Sequence, residues 1–401
     1  MTKGPFSKCR VLELCSTIAG PVCARLFADF GAEVIKIEPP TGDPVRQMDG
    51  LETDTELFSS SLLRNKESVI INLKTKKGTE LVKSMATNSD IIIENFRPGT
   101  MERLGLGYNV LAKINPRLIM VRISGYGQTG PKAKQPGYGA ICEAYAGVRH
   151  MTGDPDRPPA RVALAVTDYL TAVYAAFGAS MALFHREKSG VGQIVDMALY
   201  EGAFSMMEQV TTAHSKMGVI PSRQGSRLAG MAPNSLYEAS DNTYVLIAAN
   251  NDATFSRLAS AMKMPNIIDD PKFCSIKKRS INCNEVDRIV DEWAAKNTGA
   301  KIVKILTDHD VPVSLVNRIS DIFNEDHFKA RDMLEKIDHP SGGQIVVPGV
   351  TPKMSASPGK IVHAGPPLGA DTNKVLRRIL NIREEDLELL EKENVIIDRS
   401  A

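Results

Sequence analysis

The sequence predicts an α/β protein: a large domain built on a parallel sheet from both chain ends, plus a smaller α+β domain. Three observations carry that expectation. Short apolar runs alternate with amphipathic helical stretches through the first half of the chain, as in βαβ units. After Gly218 the texture changes to a loop-like run rich in Gly, Pro and Arg, followed by a hairpin. The tail then returns to strands and helices that pack back on the first domain. With 401 residues the chain exceeds the size at which one core stops growing, about 250–300 residues. The expected division is residues 1–200 for the first part of the large domain and 201–224 for a linker helix and loop. Residues 225–320 form the small domain, and 321–401 a return segment that completes the large one.

The elements follow in order. Arg10 to Leu14 reads as a strand. Gly20 to Gly31 reads as a helix, with Pro21 at its start and Gly31 past its end. Ala32 to Glu38 is a second strand, stopped by Pro39 and Pro40, and Ser68 to Leu73 a third. Lys76 to Ser89 is a helix with Leu81, Val82 and Met85 on its apolar face. Asp90 to Phe96 and Leu118 to Ser124 are further strands. Asp168 to His185 is a helix, Gly192 to Leu199 a strand, and Tyr200 to Gly218 one long helix. Ser235 to Ala249 is a hairpin turning at Asp241-Asn242, and Arg383 to Glu393 an acidic final helix. In such sheets ligands sit beyond the carboxyl ends of the strands, so the loops after Cys15, Glu38, Leu73, Phe96 and Ser124 are the first places to look.

Composition narrows the function. Lys plus Arg number 49 against 47 Asp plus Glu, a net charge of +2 that recommends neither nucleic acid nor an anionic membrane as partner. Aromatic residues are 5% of the chain, too few for a base-stacking platform. The six cysteines form no C-x-x-C pair, so neither a zinc site nor a disulfide framework is expected, and no metal ligand is assigned. They read as small buried apolar residues in a reducing, cytoplasmic setting. The N-terminal stretch lacks the apolar core of a signal peptide, and no run approaches the ~20 apolar residues of a membrane span.

Residues Gly125 to Gly130, "GYGQTG", copy the letters of a dinucleotide-binding turn and follow a strand. A nucleotide turn must feed a helix whose N-terminus holds the pyrophosphate. Here Pro136, Gly137 and Gly139 forbid a long helix, and no acidic residue ends a strand where the ribose would need one. The motif therefore reads as a loop whose glycines allow close backbone approach.

Several segments together resemble the class III CoA-transferase family, the carnitine and bile-acid type. They are Ala19 to Arg46, Asn65 to Gly78, "ENFRPGTMERLGLGY" (Glu94 to Tyr108), "ISGYGQTGP" (Ile123 to Pro131), Val166 to Glu201 and "PPLGADT" (Pro366 to Thr372). The resemblance implies a Rossmann-like large domain, an interlocked homodimer, and active sites between large and small domains. It implies no permanently bound cofactor, with coenzyme A as co-substrate, and acyl-CoA plus a small carboxylic acid as partners. The family's nucleophile, an aspartate at the start of a helix, matches Asp168. Ile18, Ala19, Ile71, Asn72, Leu73, Lys74, Asn95, Phe96, Arg97, Arg103, Gly137 and Tyr138 match CoA-contacting positions.

The chemistry suits those residue types. A carboxylate nucleophile turns a thioester into a mixed anhydride that is equally activated. The coenzyme's phosphates call for cations, and Lys74, Arg97 and Arg103 all follow expected strand ends. Taken alone, Asp168 could equally cap its helix and each cation could be a solvated surface charge. Two departures stand out. Where some members carry an arginine after "IKIE", this chain has Pro39, and in place of a mobile glycine run it has only Gln224 to Gly230. Arg161, Arg223 and Arg227 are candidates for a second substrate carboxylate, which points to small di- or hydroxycarboxylates. The same fold also serves α-methylacyl-CoA racemases, which need a histidine base opposite the aspartate; at the matching place this chain has Tyr138, and its nearest histidine, His150, stands further along the sequence. A non-catalytic CoA-binding scaffold would have no need of Asp168.

Overall fold

The computed structural model describes residues 4–48 and 56–400. The chain divides into two compact units. The first comprises Met1–Val148, Val162–Gly218 and His327–Ala401, and the second Arg149–Arg161 with Val219–Asp326.

The first unit is organised by a seven-stranded sheet. Its parallel strands are β1 (Arg10–Leu14), β2 (Glu33–Glu38), β3 (Lys66–Ile71), β4 (Ile91–Glu94), β5 (Ile119–Ser124) and β6 (Ile194–Ala198). They lie in the order β3-β2-β1-β4-β5-β6, and Ile396–Ile397 adds an antiparallel edge beside β3. The chain thus builds outward from β1 in one direction and then crosses to the other. A crevice opens at that reversal, between the carboxyl ends of β1 and β4.

Alternate strand residues face opposite sides of the sheet, and both sides are covered. Val11, Val34, Ile91, Ile93 and Val121 pack against α1 (Ala19–Asp29) and against the alanines 172, 175, 176, 179 and 182 of a long helix, Val166–Ser189. Leu12, Ile35, Val69, Ile92 and Met120 pack against α2 (Lys76–Thr87) and against Val375, Leu376 and Ile379 of the C-terminal segment. That segment completes the second face, which explains why both chain ends belong to one unit.

The strands are not purely apolar. Glu13, Lys36 and Lys66 are buried on three adjacent strands, with Lys36 Nζ 2.9 Å and Lys66 Nζ 2.6 Å from the two oxygens of Glu13. Lys36 also reaches Asp43, at 2.7 Å. Burial works against an ionised Glu13, but the two ammonium groups outweigh it and hold the carboxyl below its ordinary range.

Three features differ from the sequence reading: residues 201–224, expected as a linker, divide between the first unit (to Gly218) and the second (from Val219), and two more follow. The segment read as one helix from Tyr200 to Gly218 is two helices, Leu199–Phe204 and Glu208–Met217. Ser205 Oγ donates to the Gly202 carbonyl at 2.8 Å, and tight bonds from Met206 to Ala203 and Met207 to Phe204 close the first helix. Residues 149–161, read as part of the large domain, belong to the second unit. Arg223 draws them in by donating to the carbonyls of His150 (3.3 Å), Asp154 (3.0 Å) and Arg157 (2.9 Å).

The second unit contains a three-stranded antiparallel sheet, Asn234–Glu238, Tyr244–Ala248 and Val313–Leu315, whose hairpin turns through Asn242 in a left-handed conformation (φ 58°). Helices Asp252–Ala261, Cys283–Ala294 and Gly299–Asp308 supply its core with Phe255, Val290, Trp293 and Ile302.

Candidate active site

Two cavities meet at the crevice. A cleft of about 190 Å³ is walled by residues following β1, β4 and β5 and by Asp168. A larger cavity of about 650 Å³ lies beyond β1, β2 and β3. Ser16 and Phe96 line both, so the two share a wall.

Asp168 occupies the first turn of the Val166–Ser189 helix. A helix N-terminus favours a carboxylate by about 0.3–1 kcal/mol. The carboxylate lies against Gly139, the first residue of α3 (Gly139–Tyr145): a Cβ there would stand 2.0 Å from Asp168 Oδ2. Cys142, on the same short helix, records the nearby charge. Its thiol is pushed up to about 11, first by burial and next by the Asp168 carboxylate, against a lowering backbone hydrogen bond from Tyr200.

The glycine motif has a steric explanation. A Cβ on Gly125 would sit 2.8 Å from the Gly137 Cα, so these two backbones pack directly on each other. Gly127 and Gly130 have φ of 83° and 89°, the left-handed region glycine enters at little cost. Gly130 leads into turns instead of a helix. Cys142 Sγ donates to the Gly125 carbonyl at 3.2 Å, and the Asp196 carboxylate accepts from Gln128 N at 3.0 Å. Gly125 is the one residue of the motif among the described lining of the cleft.

The loop after β1 is held as firmly. Asn95 Oδ1 accepts from Ser16 N at 2.9 Å while Asn95 Nδ2 donates to Ser16 O at 2.8 Å. Thr17 has φ 64°, strained for a β-branched residue, and its N–H donates to Asp43 Oδ1 at 2.9 Å. Asp43 is in turn paired with Lys36, so the buried charges of the sheet reach the cleft wall through one carboxylate.

The structure therefore sorts the residues expected from the sequence. Ala19, Asn95, Phe96, Arg97, Gly137, Tyr138 and Asp168 come together in the cleft. Ile71, Asn72, Leu73 and Lys74, with Phe96 again, line the larger cavity. Ile18 and Arg103 line neither. Ile18 packs against the core as the residue preceding α1, and Arg103 donates to Thr100 Oγ1 at 2.8 Å, Thr100 being a wall of the cavity. Asn95 and Asn72 have local duties: Asn95 clamps Ser16, and Asn72 Oδ1 accepts from Lys74 N at 3.1 Å.

Of the arginines considered for a second carboxylate, Arg223 is committed to three carbonyls of its own unit. Arg227 is paired with Asp287 at 2.6 Å, and Arg161 is exposed. Three contributions escaped the sequence reading: the Pro39–Pro44 wall of the cavity, the clamped Ser16–Thr17 turn, and Ser124. All three lie at strand ends or loops that strand-end logic marked, but residue type gave no sign of which side chains would face the cavities.

A parallel sheet with a carboxylate-bearing cleft opening beside a larger cavity at its switch point defines an α/β protein whose candidate ligand crevice lies beyond the carboxyl ends of the strands. The description CoA-transferase family III matches residues 6–372. The chain is 40% identical over 394 residues to the succinyl-CoA–D-citramalate CoA-transferase of Chloroflexus aurantiacus, covering 98% of each. It is 33% identical to the succinyl-CoA:glutarate CoA-transferase of Mus musculus, over 96% of this chain and 89% of that protein. Among solved structures, a CAIB/BAIF family protein from Brucella suis superposes with a TM-score of 0.82 at 29% identity, covering 94% of this chain and 100% of that one. The chain belongs to CoA-transferase family III. It is an enzyme of the CoA-transferase class, for which CoA thioesters are co-substrates.

Proposed function

We propose that this enzyme moves CoA from a short dicarboxylic acyl-CoA, succinyl-CoA being the reference donor, to a free small di- or hydroxycarboxylic acid, with Asp168 as nucleophile. An Asp168 oxygen attacks the acyl carbonyl carbon, the carbon–sulfur bond breaks, and CoA leaves as its thiolate. The thiolate attacks the Asp168 carbonyl of the resulting anhydride, which releases the donor acid and leaves an aspartyl-CoA thioester. The acceptor carboxylate attacks that thioester, and the same steps run in reverse with the new acyl group.

The observation that carries this reading is the position of Asp168, in a cleft that shares Ser16 and Phe96 with the larger cavity. The cavity suits the nucleotide end of the coenzyme and the shared wall the passage of its thioester arm. Lys74 at the cavity and Arg97 at the cleft are exposed cations, and with Arg103 they are assigned to the phosphates. With Pro39 forming cavity wall, Lys74 takes the part an arginine there would play. The names of the relatives support the donor and acceptor class. The racemase reading needs a histidine beside Asp168, whereas the described lining of the cleft offers Tyr138 and no histidine.

The enzyme is further assigned as an interlocked homodimer. Val173, Phe177, Met181 and Phe184 form an exposed apolar stripe along the Val166–Ser189 helix, each at least 52% accessible, and a second copy would cover it.

The test is to incubate the protein with succinyl-CoA and hydroxylamine and follow intact mass. Capture of an acyl hydroxamate and a hydroxylamine-sensitive CoA adduct on Asp168 is expected. In Asp168→Ala both vanish, turnover falls by several orders of magnitude, and CoA binding persists. Undiminished transfer in that variant would refute the assignment.

A further inference from the structure

Ser124 ends β5, lines the same cleft as Asp168, and is only 8% exposed. Its Oγ is sealed from solvent and makes no hydrogen bond among the described residues. Buried hydroxyls are normally paired, because an unpaired one forfeits its hydration with nothing in return. One left unpaired in the wall of the cleft that also holds Asp168 stands ready for a partner that arrives with the substrate. Its surroundings are rigid. The next residue, Gly125, packs on Gly137 and accepts from Cys142, whose thiol feels the Asp168 charge. Serine can exchange among three staggered rotamers, so its hydroxyl can turn toward a group entering the cleft without moving this scaffold.

We propose that the Ser124 hydroxyl donates a hydrogen bond to the acyl oxygen of substrate at Asp168, stabilising the negative charge that develops as the thioester carbonyl is attacked. Ser124 forms no covalent bond; it holds the oxygen while Asp168 takes the acyl carbon. The inference rests on the transferase reading above.

The experiment compares Ser124→Ala with the wild-type enzyme in succinyl-CoA-dependent transfer, in the rate of Asp168 adduct formation by mass, and in thermal midpoint. An oxyanion donor acts in the transition state, so kcat and adduct formation should fall by about 10-fold or more. KM for succinyl-CoA should change by less than about two-fold. The hydroxyl has no protein partner to lose, so the midpoint should stay the same or rise, whereas a merely structural serine would lower it. A kcat within about two-fold of wild type, a defect confined to KM, or a loss matched by a lower midpoint would each overturn the inference. A wild-type enzyme that forms no Asp168 adduct would instead overturn the transferase reading, which keeps the two failures apart.

Discussion

Gly139 is the surface on which the Asp168 carboxylate rests: a Cβ at position 139 would lie 2.0 Å from Oδ2, 2.8 Å from Cγ and 3.2 Å from Oδ1. No side chain fits there unless the carboxylate moves. Gly139 opens a short helix while Asp168 sits in the first turn of a long one, and their contact fixes where the acid stands.

Gly139→Ala should therefore displace the Asp168 carboxylate, the group proposed above as nucleophile. A shift near 1 Å costs about 100-fold in rate when alignment governs the reaction. Since φ at Gly139 is not in the left-handed region, alanine is tolerated by the backbone and the fold should survive. Steady-state kinetics with circular dichroism checks this: activity falls by at least that factor while the spectrum stays unchanged. Near-normal turnover would show that Asp168 is not held by this contact.

Asn95→Ala should loosen the Ser16 turn. Both bonds of the clamp are lost and Ser16 keeps unpaired backbone groups, a cost of about 1–3 kcal/mol. Equilibrium urea unfolding reads that loss, and KM for the acyl-CoA should rise because Ser16 borders both cavities. An Asn95→Asp variant keeps the acceptor for Ser16 N–H but not the donor, and should fall between the two.

Acid should weaken the first unit through Glu38. Burial alone would raise its carboxyl, but hydrogen bonds from Arg46, the charges of Lys36 and Arg46 and a hydrogen bond from Ser68 hold it at about 2. A carboxyl depressed on folding contributes stability that is fully present above its unfolded value, near 4.5, and is lost as pH falls toward 2. Thermal midpoints should decline through that window. In Glu38→Gln the midpoint should be lower at neutral pH and decline less on acidification. An identical acid profile in that variant would remove Glu38 from the explanation.

Thiol chemistry should be selective. Burial pushes Cys9 up to about 12, and Cys142 stands at about 11, whereas Cys274 is exposed. At pH 8 a thiol of pKa 11 is thiolate at a level of about one in a thousand. Iodoacetamide mapped by peptide mass should label Cys274 first and reach Cys142 only on unfolding. Early labelling of Cys142 with loss of activity would mean that the cleft opens more widely than the structure shows.

How far the sequence reaches depends on what each feature is made of. The sequence marks β1 with the bounds it has, and β2 and β5 to within a residue, because a buried strand carries its own signature in consecutive apolar residues. The glycine loop is legible too, since Pro136 and Gly137 keep a long helix from starting directly after Gly130, and the structure has turns there. The break at Ser205 is not. An apolar pattern continues across it, and the break is marked by a hydroxyl's bond to a neighbouring carbonyl and by short-range backbone bonds that sequence patterning does not record. Arg223 looks like a free cation for a related reason: the carbonyls it serves are about seventy positions away in sequence.

By itself, then, the sequence determined the alternation of strands and helices and the loops at which ligands would gather, because local burial and backbone preference are written residue by residue, whereas Asp168 was singled out only by a resemblance. Tertiary structure alone decided that Asp168 lies on Gly139, that Asn95 grips Ser16, that Glu13 is shared by Lys36 and Lys66, and that Ser124 keeps an unpaired hydroxyl at the cleft. Each of those is a distance or a missing partner between distant segments. The order in which strands assemble sets such distances, and no periodicity within one segment records them.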